Sequence, residues 1–224
     1  MKTYGGFFAI DRRIWADVCN KRNVNNAVAY LVLAQGTGRD NGTTAWAATS
    51  VKKYAGISWI RATECVHSLI EGAYLKVGEA HTKTKPRYEI LSWTEIVTER
   101  SNLVQARLTE YERMVLAEAR DRREQFRPKR SDQHVVEQLE AKGLLCHLPG
   151  RGYEVLAPPE PADPELIWLP NTLVTGTTKG EEPPVKRLRA TGDIETLRLL
   201  VDLYGAHNLR DDGGIAPRRR TGTV

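Results

Sequence analysis

Between Trp46 and Leu91 the chain is broken twice by glycine, first between two helical stretches at Gly56 and then between helical and strand periodicity at Gly72. Residues 47–55 suit a short helix that Gly56 closes, and Ser58 then offers a side-chain oxygen to the first free N–H groups of a second helix. In that second helix Ile60, Ala62, Cys65, Val66, Leu69 and Ile70 are expected mostly on one face. The other side presents Trp59, Arg61, Thr63, Glu64 and His67. After Gly72, residues 74–77 and 87–91 read as two short strands joined by the basic loop His81-Thr82-Lys83-Thr84-Lys85-Pro86. None of these pieces is long enough to stand alone, so all of them must share one small core.

Short helix, glycine turn, amphipathic helix and ribbon is the order of a winged helix-turn-helix. A longer helix precedes them in Asn25-Asn26-Ala27-Val28-Ala29-Tyr30-Leu31-Val32-Leu33, with Asn25 or Asn26 as its cap. Ala27, Tyr30, Leu31, Leu33 and Ala34 are its expected buried residues, Gly36 and Gly38 stop it, and residues 39–42 form a turn. Ahead of residue 24, Phe7, Phe8, Ile10, Ile14, Trp15 and Val18 anchor a strand or a short helix.

A second unit starts near Thr109, which stands three residues before Glu112 as a capping box requires. Leu108, Tyr111, Val115 and Ala119 recur at helical spacing up to the break at Pro128. Residues 131–142 give another helix with Val135, Val136 and Leu139 inward, and residues 143–156 give two strands around 149–152. Residues 157–164 are a proline-rich linker, followed by an apolar patch at 166–170 and a loop at 175–184. Asp193 caps a last helix containing Leu197, Leu200 and Tyr204, and residues 208–214 then echo the turn at 39–42 as if another module began. The fold class expected is α+β, mainly helical, with tandem winged helix-turn-helix-like modules. Its domains are residues 1–100, a second winged module at 101–157, and a linker with an incomplete helical module at 158–224.

The formal net charge of +5 favours an anionic partner. In the second helix of the first module Arg61 suits a guanine edge, Thr63 a methyl or an acceptor, and Ser58 and His67 a phosphate or a base edge. Lys83, Lys85 and Arg87 of the ribbon suit flanking phosphates, which orient a protein without reading sequence. Trp46 and Trp59 are expected as core anchors. A second basic patch runs through Arg122, Arg123, Arg127, Lys129 and Arg130 and suits the DNA backbone; its competing reading is a surface laced with ion pairs.

Enzymatic readings find no support in the spacing. The five histidines do not pair with Cys or carboxylates at metal-ligand intervals, and there is no nucleophile elbow or phosphate-binding loop of the GKS/T kind. No catalytic residue, metal or cofactor is therefore expected. Three cysteines far apart in sequence suit a reducing cytoplasm; the N-terminal apolar stretch is broken by Asp11, Arg12 and Arg13, so no signal peptide is expected, and no segment reaches the length of a membrane span.

The stretch AYLVLAQGTGRDNGTTAWAATSVKKYAGISWIRATECVHSLIEGAYLKV resembles the helix-turn-helix domains of bacterial phage, prophage and integrative-element proteins. These include winged-helix replication initiators and transcriptional regulators. The resemblance covers about residues 25–91, and IWLPNTLV and LRLLVDLYGAHNLRDDGG look like later parts of the same kind of protein. It implies double-stranded DNA binding, with the helix from Ser58 as reader and the ribbon as wing, in a mobile-element regulator or replication factor. The competing class is a protein-interaction module, such as an inhibitor of a host defence complex. Its interface, or that of a homodimer, would be the Ile167-Trp168-Leu169 patch and the helix at 197–204.

Overall fold

The computed structural model describes residues 6–38, 40–82, 84–122, 126–149, 152–156, 163–177 and 182–206. In chain order, β1 (Phe7–Asp11) runs into α1 (Arg12–Asn20), α2 (Val24–Gln35), β2 (Thr43–Thr44), α3 (Ala48–Ala55) and α4 (Trp59–Glu71). A ribbon of β3 (Leu75–Val77) and β4 (Tyr88–Ile90) follows, then α5 (Trp93–Ala106), α6 (Glu110–Arg122), α7 (Gln133–Ala141), β5 (Leu145–Leu148) and β6 (Gly152–Val155). The last elements are β7 (Leu166–Pro170), α8 (Thr172–Thr175), α9 (Pro184–Thr191) and α10 (Ile194–Ala206). The fold is mixed α+β, mainly helical, with small antiparallel sheets. It divides into one unit of residues 1–93 with 163–224 and another of residues 94–162.

Helix α2 explains how the first unit is built. Its sequence is apolar all round after the first turn, and such a helix is stable in water only when surrounded. Residues 27–34 are each at most 1% exposed, because α1, α3, α4, α9 and α10 pack around them. Burial therefore extends to Val28, Ala29 and Val32, beyond the one-sided set that the sequence led us to expect. The cap is Asn23 rather than Asn25 or Asn26: its Oδ1 accepts the N–H groups of both those residues at 3.1 Å.

Part of the cover on α2, from α8, α9 and α10, comes from the far end of the chain. Strand β7 pairs antiparallel with β1, from Phe7 opposite Pro170 to Asp11 opposite Leu166. Alternation along the two strands turns Phe8, Ile10, Ile167 and Leu169 inward and leaves Phe7, Leu166 and Trp168 outward. Residues 163–206 thus belong with 6–93, in contrast to the separate module expected at 158–224. The Ile167-Trp168-Leu169 patch is likewise no continuous surface, since only Trp168 of the three is exposed. Residues 157–162 and 207–224, which hold most of the proline-rich linker and the echoed turn, lie outside the described residues.

In the second unit, α6 and α7 pack with the β5–β6 hairpin around Val115, Leu116, Phe126, Val136, Leu139 and Leu145. The capping box is formed as its spacing demands. Thr109 N–H donates to Glu112 Oε2 at 2.8 Å, and Glu112 N–H donates to Thr109 Oγ1 at 3.2 Å. The same buried carboxylate takes Lys142 as its ion-pair partner. Tyr111 is not in the core; its hydroxyl reaches out to Asp132 at 2.7 Å.

Candidate nucleic-acid interface

Helices α3 and α4 meet at Gly56, whose φ of 66° is the left-handed conformation that ends α3 and redirects the chain. A side chain there would also meet the Lys186 stem from α9, so the turn is closed from behind by the C-terminal segment. One residue past Ile57, Ser58 Oγ accepts the Arg61 N–H at 3.2 Å and starts α4 as expected. The order continues with the sheet β2-β4-β3, in which Thr43 and Thr44 of β2 pair with Glu89 and Tyr88. The two-residue strand β2 was not legible in the sequence.

The buried stripe of α4 is Ala62, Cys65, Val66 and Leu69. Ile60 is 71% exposed and does not belong to it. At 3.6 residues per turn, position 60 shares a face with Glu64, His67 and Glu71, roughly opposite the stripe. Trp59 is 50% exposed, which corrects the expectation of a core anchor. It stands one turn before Ala62, and helix side chains lean toward the N-terminus, so the indole overhangs the end of the core. Trp46 is half-buried and lies outside the buried core, its ring stacked on Tyr54 with centroids 4.8 Å apart.

The polar members of this face are only lightly held. Arg61 pairs with Glu64 at 3.4 Å, both side chains being mostly exposed. Such a pair contributes about 0–1 kcal/mol, so a stronger anion can take the guanidinium from it. Thr63 Oγ1 donates to Trp59 O at 3.0 Å, which ties down the hydroxyl rather than the methyl. His67 is exposed beside them.

The loop between β3 and β4 is organised by its own hydrogen bonds. Lys85 N–H donates to Thr82 Oγ1 at 2.9 Å, and Thr82 N–H donates to Lys85 O at 3.1 Å. His81 Nδ1 lies 3.1 Å from both the backbone N–H and the carbonyl oxygen of Arg87, while the ring meets Tyr88 edge-on at 5.0 Å. His81 therefore shapes the loop. Lys85 and Arg87 are exposed, and Lys83 lies outside the described residues. Arg87 also borders a cleft of about 920 Å³ whose walls include Phe7, Trp46 and Trp168.

The second basic patch is less uniform than its sequence. Arg122 is paired with Glu118 at 3.0 Å, and Arg127 Nη1 donates to Phe126 O at 3.0 Å while filling the space beside Gly152. Lys129 and Arg130 are exposed, and Arg123 lies outside the described residues. Lys52 and Lys53, on the last turn of α3, are exposed cations that the sequence reading did not single out. Their signal was their position just before the Gly56 turn.

Burial pushes the Cys19 thiol up to about 12 and the Cys65 thiol to about 11, so both behave as small core residues. Among the described residues no group of three or more His, Cys, Asp or Glu side chains is placed to hold a metal ion. No described helix is long and apolar enough to cross a membrane. Comparison with protein-family models, with curated proteins and with solved structures gives no match to this chain.

Proposed function

We propose that residues 24–91 form a winged helix-turn-helix that binds double-stranded DNA, with α4 in the major groove and the β3–β4 loop against the phosphate backbone. The observation that carries this reading is the pairing of element order with exposure. Helix, strand, two helices and a ribbon occur in sequence, and the outer face of α4 leaves Trp59, Ile60, Arg61, Glu64 and His67 uncovered. A helix whose outer face is free and whose inner face is fixed on a core is what groove entry needs. Lys52, Lys53, Lys85 and Arg87 add exposed positive charge from the same stretch of chain. The second unit acts in this proposal as a non-specific clamp through Lys129 and Arg130. The biological role we attach is that of a mobile-element regulator or replication factor, from the resemblance of residues 25–91.

The test is selection of duplexes from a random library by the full chain, followed by affinity measurements at several salt concentrations. Arg61→Ala is expected to weaken the preferred duplex by about 1–3 kcal/mol and to relax one position of its sequence. Lys85→Ala is expected to weaken all duplexes alike and to lower the salt slope by about one. Equal affinity for every duplex rejects groove reading.

A second reading, a protein-docking module, draws on the outward Phe7, Leu166 and Trp168 and on Leu199 and Leu203 of α10. It predicts a stable assembly in the absence of DNA, seen as a mass above that of one chain when the purified protein is sized at high salt.

A further inference from the structure

Helix α4 carries two kinds of apolar side chain. Ala62, Cys65, Val66 and Leu69 are buried and hold it in place, whereas on its leading turn Ile60 is largely exposed and Trp59 half exposed. Exposed apolar residues scattered singly are ordinary. Two adjacent large ones are a different case when a 3.6-residue repeat sets Ile60 beside Thr63 and His67 on the outer face. The Thr63 hydroxyl is committed to Trp59 O at 3.0 Å, so the methyl is the part of that side chain left uncommitted. The guanidinium of Arg61 lies toward Glu64, at 3.4 Å, on the flank of the same turn. The end of α4 that leads into a groove is thus an apolar ridge with charge on one side.

The major groove offers one apolar group on its base edges, the C5 methyl of thymine. Resting on the duplex-binding reading above, we infer that Trp59 and Ile60, with the Thr63 methyl, are specificity-determining residues that pack on thymine methyls. The ligand class is duplex DNA with thymines in the half-site under α4. The face of α4 itself carries Arg61 with Glu64 and Glu71, so it is the surrounding stretch that favours DNA over an apolar protein partner: in residues 48–90 basic side chains outnumber acidic ones, and Lys52, Lys53, Lys85 and Arg87 are exposed.

Uracil in place of thymine removes the methyl and leaves the pairing edge intact, which makes it a direct probe. The preferred duplex is selected with the full chain, and each thymine is then replaced by uracil in turn. Affinity is expected to fall about fourfold at each position beneath the ridge, equivalent to about 0.8 kcal/mol for one buried methyl-sized group. In Ile60→Asn, whose parent side chain is too exposed to be needed for folding, the difference between thymine and uracil at its position disappears while non-specific binding at low salt persists. If the wild-type chain keeps its sequence preference but tolerates uracil everywhere, methyl reading is overturned and duplex reading stands. If Ile60→Asn and Trp59→Ala leave every duplex affinity unchanged, methyl reading is also overturned and the ridge faces something other than DNA. If the wild-type chain has no sequence preference at all, the proposed function itself fails and this inference goes with it.

Discussion

Helices α4 and α7 both stand second in a run of helix, helix and ribbon, yet they leave different chemistry uncovered. On α4 the exposed residues include Trp59, Ile60, Arg61, Glu64 and His67; on α7 they include Gln133, His134, Glu137 and Gln138. No lysine or arginine occurs within α7, and exposed cations of its unit such as Arg120, Lys129, Arg130 and Lys142 lie outside that helix. The supports differ too. In the first unit β2 adds a third strand to the ribbon and the C-terminal elements close the back, whereas the second unit ends in the two-stranded β5–β6 hairpin. The two helices share their place in the element order; what differs is the set of side chains that each leaves uncovered.

The largest expected effect comes from removing the C-terminal elements of the first unit. A chain ending at residue 162 lacks β7, the partner of β1, and lacks α9 and α10, which cover α2. Trp15 is fully buried, and all five tryptophans lie in residues 1–93 and 163–224, so fluorescence reports on this unit alone. The truncated chain is expected to emit at longer wavelength and to lose its cooperative tryptophan transition in urea. Hydrogen exchange at residues 108–155 is expected to keep its protection, because the core of that unit draws on its own residues. Retention of a native tryptophan transition after truncation would remove the contrast between the two units.

Two glycines carry the comparison to single residues. Gly56 and Gly143 both follow a helix with positive φ, 66° and 69°. A side chain at Gly143 meets open space, whereas one at Gly56 meets the Lys186 stem, whose ammonium is paired with Glu182 at 2.9 Å. Gly143→Ala is expected to cost about 1–2 kcal/mol for the left-handed backbone alone. Gly56→Ala should cost more in chemical denaturation, and Lys186→Ala in the same chain should narrow the gap. Equal costs for the two glycines would mean that α9 does not press on the turn.

What the sequence disclosed follows the range of each interaction. Ser58 as the cap of α4, Asp193 as the cap of α10 and the Thr109–Glu112 box all bond within three residues, and each is formed. Gly56 is equally local. The pairing of β1 with β7 joins segments some 160 positions apart, and nothing in Phe7–Asp11 names its partner. The all-round burial of α2 depends on that same return of the chain, so counting one apolar face underestimated it. Strand β2 has two residues and no period to detect. Helix α5 was missed because its fourteen residues bury only Ile96 and so show no stripe. Ile60 is a different kind of miss: helical geometry alone puts it with Glu64 and His67, and the apolar letter concealed the angle. At the candidate site, the helix and its cap were legible, while the exposure of Trp59 and Ile60 required knowing where the core ends.

The smallest expected effect separates the two units by pH. Hydrogen bonds from Lys142 and from the Thr109 backbone hold the buried Glu112 carboxyl below its ordinary value of 4.5. In the first unit the Asp193 carboxyl is lowered by Thr196 and Glu195, but it sits at the surface, where water replaces those partners cheaply. A carboxyl whose folded pKa lies below its unfolded one stabilises the fold above the unfolded value and stops doing so as pH falls through the folded value. The second unit should therefore lose stability from about pH 4.5 downward, before the first unit does so to the same extent. Urea unfolding at pH 7, 5, 4 and 3 checks this, with hydrogen exchange at residues 108–155 for one unit and tryptophan emission for the other. Glu112→Gln has no charge to lose: it should be less stable than wild type at pH 7 and should show a flatter pH dependence in the second unit only. A parallel decline in wild type and variant would assign the acid sensitivity to other carboxyls, of which Asp132, lowered by Tyr111 and Ser131, is the next to replace.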